Sequence, residues 1–138
     1  MKNNEKEILD CTFRDGGYYN GWNFSKSLIN KHLSLMDMLS VKYVEIGFRF
    51  LLEKKNTEEN KKGECAFTSE KFLNTLKVPK NLELGIMINV GDLLVNKKLS
   101  LKNLKKLVPL NSKNSKIKFV RLATHINEIF ILKYIIKY

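Results

Sequence analysis

The sequence predicts an α/β fold in which the strands of a parallel sheet alternate with crossover helices. Four β-rich runs, at about 8–13, 41–48, 82–90 and 117–123, are separated by segments of helical or turn-forming character. Polar side chains recur where each of these strands should end. The length of 138 residues suits one domain with a real core and is short for two. We therefore expect about four β–α units with parallel strands.

The first predicted strand, residues 8–13, ends beside an arginine and an aspartate. Gly16 and Gly17 follow as a breaker pair, so Arg14 and Asp15 are expected at the carboxyl end of this strand, where α/β folds place their chemistry. A permanently charged bidentate donor beside a hard-oxygen ligand suits a metal-bound, negatively charged substrate. The alternative is a surface ion pair at a turn.

The remaining elements follow from apolar periodicity and from cap and breaker residues. A helix is predicted from about 26 to 39 with Ser25 as its cap, because apolar side chains recur there at helical spacing. Further elements are predicted in this order: a strand at 41–48, a short helix at 68–76 stopped before Pro79, a strand at 82–90, a short helix at 101–107 ended by Pro109, a strand at 117–123, and a final apolar helix from about 127.

Polar residues at the four predicted strand ends are expected to meet at one edge of the sheet. Right-handed crossovers bring the carboxyl ends of parallel strands together there. Taken singly, each could be a turn residue or a cap, above all Asn89 and Asp92. The four sets are Arg14 with Asp15, Glu45 with Arg49, Asn89 with Asp92, and Thr124 with His125.

Composition limits the classes of function. The net charge of +11 raises the question of nucleic-acid binding, but the basic residues are mostly scattered lysines. Arg14, Arg49 and Arg121 are the arginines, and no aromatic and basic residues interleave as a stacking platform. A basic nucleic-acid-binding domain is therefore the lesser alternative.

Other sequence features indicate a cytoplasmic protein without a membrane segment. No apolar run approaches the ~20 residues that span a bilayer, and the polar amino-terminal residues lack the apolar stretch of a signal peptide. Cys11 and Cys65 have no CxxC partner, so a zinc knuckle or redox pair has no support. A reducing cytosol fits best.

Several motifs carry a family resemblance that spans residues 8–128. The segments Asp10–Gly17 and Glu45–Arg49 resemble the opening of the metal-dependent aldolase, lyase and pyruvate-carboxyltransferase superfamily, which includes the HMG-CoA lyases and has an Asp-Arg-Glu site. Val120–His125 with Glu128 resembles the fourth-strand motif of the 4-hydroxy-2-oxovalerate aldolases, and Asp15–Phe24 resembles an aldolase-like branch. The resemblance implies the amino-terminal half of a (β/α)8 TIM barrel.

The resemblance also implies an activity: cleavage of a 4-hydroxy-2-oxo acid to pyruvate and an aldehyde. In such enzymes Mn²⁺ or Mg²⁺ binds the 2-oxo acid and acts as a Lewis acid on the developing enolate. By motif position, Asp15 would be a metal ligand, Arg14 would bind substrate and stabilise the enolate oxygen, and Glu45 would orient the site. The expected partner is a small 2-oxo acid.

The sequence departs from the family's pattern in the first motif. The 4-hydroxy-2-oxovalerate aldolases usually have a histidine soon after the Asp-Gly, where this chain has Tyr18. Tyr18 is the candidate base, although a tyrosine needs a depressed pKa to serve. Tyr18 or Tyr19 could instead hold substrate through hydrogen bonds. His125 is a further candidate for substrate binding, with a merely packed histidine as its alternative.

The second departure is length, because a complete barrel takes about 250 residues. The family's His-x-His metal pair does not occur in this sequence, so the ligand set is expected to be incomplete. We expect residues 1–138 to form one partial barrel domain with an atypical apolar tail from about 129. The alternatives are a truncated and inactive fragment, association with itself or a second fragment through open sheet edges, and an incomplete record of an intact enzyme.

Overall fold

A four-stranded parallel sheet organises the computed structural model, which describes residues 6–51, 62–108 and 115–137. Its strands are β1 (Leu9–Asp10), β2 (Tyr43–Phe48), β3 (Glu83–Asn89) and β6 (Ile117–Ala123), and they lie side by side in that order. Each neighbouring pair is parallel. The predicted α/β class is confirmed, and half of a barrel is consistent with this arrangement.

Within the described residues, five helices and a small hairpin connect these strands, and a sixth helix follows the last strand. The second helix and its serine cap are confirmed, since the Ser25 side chain accepts a hydrogen bond from the Leu28 amide at 3.2 Å. Of its apolar side chains, Ile29 and Leu33 are buried. The helices are α1 (Thr12–Asn20), α2 (Lys26–Met38), α3 (Glu64–Phe67), α4 (Glu70–Asn74), α5 (Leu101–Leu107) and α6 (Ile129–Lys137), and the hairpin pairs β4 (Leu94–Val95) with β5 (Lys98–Leu99).

The two faces of the sheet have different chemistry, because side chains alternate along each strand. One face is apolar and fully buried, with Val44, Ile46, Leu84, Ile86 and Ile88 in the same core cluster as Ile29 and Leu33 of α2. The other face, which we term the open face, carries Tyr43 and Glu45 of β2, Gly85 of β3, and Phe119 and Arg121 of β6. Its charged residues form the candidate site.

The aromatic rings on the open face fix how β2, β3 and β6 fit together. The Tyr43 and Phe119 rings meet edge to face with centroids 5.7 Å apart, across the intervening strand β3. The Phe119 ring lies over Gly85, where a Cβ atom would stand 2.0 Å from the ring. Glycine at this position therefore allows the two rings to close over β3.

The prediction for the first strand is wrong in its extent. The strand ends at Asp10, and residues 12–20 form helix α1, which contains the glycine pair expected to break structure. Asp10 turns the chain, since its carboxylate accepts from the Thr12 hydroxyl at 2.6 Å. The helix ends at Gly21, whose φ of 63° is left-handed. Arg14 and Asp15 thus lie in the first turn of a helix that directly follows β1.

The other predicted elements are confirmed with shifted ends. Strand β2 begins at Tyr43, helix α4 is confined to Glu70–Asn74, and the final helix begins at Ile129 after a 3₁₀ turn at Ile126–Glu128. Helix α3 and the β4–β5 hairpin were not predicted. Pro109, the predicted stop for α5, lies outside the described residues.

Helix α6 is as apolar as the sequence predicts, but only part of it is covered. Ile135 is buried, whereas Phe130 and Ile136 are each 76% exposed. Among residues 6–51, 62–108 and 115–137, no helix is long and apolar enough to cross a membrane.

Cys65 of α3 gives an alkaline pH prediction. Burial raises the pKa of its thiol from 9.0 to about 12, with the nearby Glu64 charge adding to the effect. The folded state therefore keeps the proton that the unfolded state loses above pH 9. This stabilisation is present below pH 9 and is lost as the pH rises from 9 to 12, at about 1.4 kcal/mol per pH unit. Urea unfolding between pH 8 and 11 should show the decline.

The matched control is Cys65→Ala, which removes the titrating group from the core. Its free energy of unfolding should fall less steeply above pH 9 than that of the wild-type chain. Equal slopes for the two proteins would contradict the assignment of this pH dependence to Cys65.

Candidate functional site

Arg14 connects the first two strands of the sheet through ion pairs. It lies in the first turn of α1, four residues after Asp10 ends β1. Its Nε donates to Glu45 Oε2 at 2.8 Å, and its NH1 lies 2.7 Å from Asp15 Oδ1. The structure therefore brings together the arginine, the aspartate and the glutamate that the sequence singled out.

Glu45 is the buried centre of this cluster. Its side chain is 0% exposed and lies between two guanidinium groups, with Arg14 on Oε2 and the Nε of Arg121 3.4 Å from Oε1. Among the residues that the structure describes, Oε1 has no hydrogen-bond partner. Because burial of a carboxylate without partners is very unfavourable, the two guanidinium groups compensate the burial of the Glu45 side chain.

Arg14 is held by its backbone as well as by its side chain. Burial tends to lower the pKa of its guanidinium, but hydrogen bonds to Glu45 and Cys11 and the nearby carboxylate charges raise that pKa above its ordinary value overall. The indole Nε1 of Trp22 donates to the Arg14 carbonyl at 3.0 Å. Arg14 is thus a fixed, permanently charged donor next to the sheet edge.

The two tyrosines of α1 differ in their surroundings. The Tyr18 ring packs edge-on against Trp22 and Phe48, at centroid distances of 4.9 and 6.1 Å, and the residue is 65% exposed. Tyr19 is 96% exposed. The catalytic role predicted for Tyr18 and the substrate-binding role predicted for Tyr19 stay predictions.

A polar cleft of about 360 Å³ lies where β3 and β6 end. It contains both residue pairs that the sequence placed at these two strand ends, which are Asn89 with Asp92 and Thr124 with His125. The exposed His125 starts a 3₁₀ turn, and its amide donates to Glu128 Oε2 at 3.2 Å. The role of His125 in substrate binding stays a prediction.

The prediction that Arg49 joins the polar set at the sheet edge is wrong. Its side chain is buried, and NH2 donates to the Thr68 carbonyl at 2.7 Å and to Glu70 Oε1 at 3.0 Å. NH1 donates to the Leu107 carbonyl at 3.4 Å. Arg49 therefore ties the end of β2 to α4 and α5, and its charge serves the packing of these elements.

The described residues do not make a complete metal site. Within the part of the chain that the structure describes, no group of three His, Cys, Asp or Glu side chains could hold a metal ion. Asp15 could give one oxygen ligand, since its side chain is 59% exposed, although Arg14 binds one of its oxygens.

The sequence interpretation missed Arg121 and Cys11 as members of the cluster. Arg121 NH1 lies 3.6 Å from the Cys11 sulfur, and burial raises the pKa of the Cys11 thiol above 9.0. Arg121 stands two residues after Phe119 on β6, so the two side chains share a face of the sheet. This alternation could have revealed Arg121 as a member of the cluster. The strand register, which pairs Met87 of β3 with Arg121 of β6, depends on tertiary packing and cannot be predicted from the local sequence.

This fold and cluster define a class: a parallel α/β domain with an aldolase-like arrangement and an ion-paired arginine after its first strand. No family model and no curated protein matches the chain. Among solved structures, it is similar to the N-terminal domain of a candidate aldolase from Bacteroides vulgatus, with a TM-score of 0.73 and 26% sequence identity. The match covers 96% of this chain and 41% of that chain. The chain spans about two-fifths of the length of that protein's chain.

Proposed function

We propose that this chain contributes the arginine-bearing part of a carbon–carbon lyase that cleaves a 4-hydroxy-2-oxo acid to pyruvate and an aldehyde. The observation that supports the proposal best is the ion pair of Arg14 with the fully buried Glu45, at 2.8 Å, immediately after β1. The similarity to a candidate aldolase domain agrees with it at the level of the fold.

In this proposal, Arg14 stabilises the negative charge that develops on the oxygen of the pyruvate enolate. A fixed cation is effective there because it needs no reorganisation when the charge appears. Glu45 is a positioning residue, since it holds the Nε edge of the guanidinium. Tyr18 is the candidate base, and Tyr19 and His125 are candidates for contacts with the rest of the substrate.

We also propose that Asp15 is a ligand of a divalent cation, Mn²⁺ or Mg²⁺. Hard cations prefer carboxylate oxygens, and the Asp15 side chain is open to solvent. The described residues supply no group of three His, Cys, Asp or Glu side chains that could hold the cation without further ligands.

The test is release of pyruvate from 4-hydroxy-2-oxo acids in the presence of Mn²⁺. Arg14→Met should lower kcat/KM by about 100-fold or more, because removal of one donor to a developing oxyanion has an effect of this order. Lys31→Met on α2 removes an exposed positive charge and should leave kcat/KM unchanged.

Two results would overturn the proposal for this chain. One is the absence of pyruvate release by the wild-type chain, which would favour the alternative of an inactive fragment. The other is a similar loss of activity in Arg14→Met and Lys31→Met, which would show that charge in general matters and not the position of Arg14.

A further inference from the structure

We propose that Arg121 binds the carboxylate group of a small oxo acid, as a second and separate cation beside Arg14. The identity of the ligand rests on the proposed function, whereas the position of the cation does not. Neither the sequence motifs nor the comparison with known structures gives Arg121 a role.

The first support is the placement of Arg121 on the open face. It stands on β6 opposite Met87, and its Nε reaches across β3 to Glu45 of β2. Arg14 approaches the same carboxylate from helix α1. Two guanidinium groups therefore converge on one buried acid, one from the β1 edge of the sheet and one from the β6 edge.

The second support is the unequal commitment of the two arginines. The Arg14 side chain is 17% exposed and hydrogen-bonded to Glu45, whereas the Arg121 side chain is 39% exposed. Arg121 Nε and Glu45 Oε1 form an ion pair at 3.4 Å but no hydrogen bond, since that oxygen has no hydrogen-bond partner within the described part of the chain. The Arg121 guanidinium is thus held loosely and remains open to solvent.

The third support is the balance of charge. The single buried negative charge of Glu45 is already matched by Arg14 through its shorter contact. Arg121 brings a second positive charge, and its Nη1 donates to the weakly polar sulfur of Cys11 at 3.6 Å. Because Arg14 also pairs with Asp15, the more exposed and less tightly paired positive charge of this cluster is that of Arg121, which is suited to an anion that comes from solvent.

The chemistry of the guanidinium favours a planar carboxylate. Its donors form a rigid fork that matches two carboxylate oxygens. Pyruvate carries one such group, and oxalate is a planar dianion that resembles the pyruvate enolate. Both are small enough to be tested directly on the whole chain, and neither test depends on turnover.

The experiment is a titration of the 138-residue chain with oxalate and, separately, with pyruvate. Binding is monitored through the NMR resonances of the arginine Nε–H groups. The sequence has three arginines, Arg14, Arg49 and Arg121, so these resonances are few. Oxalate should shift the Arg121 resonance saturably and leave that of Arg49 in place, because Arg49 is buried among protein acceptors. Sodium sulfate at equal ionic strength is the control for general anion binding.

Variants separate binding by Arg121 from a general effect of charge. Arg121→Met should weaken oxalate binding about 10-fold or more, in line with the loss of charge-assisted hydrogen bonds. Lys118→Met is the matched control, because Lys118 is an exposed residue three positions before Arg121 on β6. The loss of its positive charge should change oxalate binding less than about twofold. Arg121→Lys keeps the charge without the fork, so it should bind oxalate with an intermediate affinity even if Arg121→Met does not fold.

The possible outcomes are distinct from those of the activity assay. Saturable binding that depends on Arg121, without pyruvate release, would support this inference while the proposed lyase activity fails. The inference is overturned if Arg121 shows no saturable shift, if sulfate competes as well as oxalate, or if Lys118→Met weakens binding as much as the Arg121 variants do.

Discussion

Replacement of Glu45 with glutamine is expected to lower the free energy of unfolding by about 3 kcal/mol, a loss typical of a broken buried ion pair. The amide keeps the shape of the side chain but removes its charge from a site that is 0% exposed. One amide oxygen can still accept from Arg14, whereas the amide NH₂ would face the Arg121 guanidinium, which is also a donor. Urea denaturation followed by circular dichroism measures the change.

The matched control is Glu83→Gln at the start of β3. Glu83 is partly exposed and lies 3.8 Å from Lys42 in a surface ion pair. Surface ion pairs contribute little to stability, so the free energy of unfolding of this variant should fall by less than about 0.5 kcal/mol. If both glutamate variants lost the same amount, the two arginines would not be responsible for the stability that Glu45 provides.

Replacement of Gly17 with alanine is expected to lower the free energy of unfolding by about 2–3 kcal/mol, because it overpacks the core. A Cβ atom at Gly17 would stand 1.9 Å from the Trp22 ring. That ring is 6% exposed and packs edge-on against Phe48 and Phe50, so it has little room to move. A displaced indole would also weaken its hydrogen bond to the Arg14 carbonyl.

The neighbouring residue gives a control within the same helix. A Cβ atom at Gly16 would stand 3.6 Å from Phe24, which is an ordinary contact. Gly16→Ala should therefore stabilise the chain by roughly 0.5–1 kcal/mol through helix propensity alone. The single tryptophan, Trp22, reports on both variants by fluorescence. A stabilising or neutral Gly17→Ala would mean that the ring does not lie against this glycine.

The order of strands and helices was predictable from local patterns, and the ends of β1 were not. Apolar periodicity placed α2 and α5, and the β-rich runs placed β2, β3 and β6. The Gly16–Gly17 pair was misinterpreted as a turn, because glycine also occurs in a helix where another side chain approaches closely. That approach is made by Trp22, and no local rule indicates which glycine of a sequence meets a buried ring.

The candidate site was predictable only as far as strand ends determine it. The topology pairs β1 with β2, and Arg14 lies in the first turn of the helix that directly follows β1, which brings it into contact with Glu45 of β2. Arg49 also ends a strand, but the acceptors that bury it belong to α4 and to the end of α5, and their positions depend on packing. Arg121 was missed for the converse reason, since its contact with Glu45 spans two strand registers.

The helical placement of Arg14 has a consequence for the entropy of ligand binding. A free arginine side chain has about 2 kcal/mol of rotamer entropy to lose when it is ordered. Most of that loss occurs when the chain folds, because Glu45 and Asp15 already orient the guanidinium. A ligand that meets Arg14 therefore finds a preorganised donor, whereas one that meets Arg121 must order a more exposed side chain. Arg14 and Arg121 carry the same charge and differ in the side-chain conformational entropy that each loses when a ligand binds.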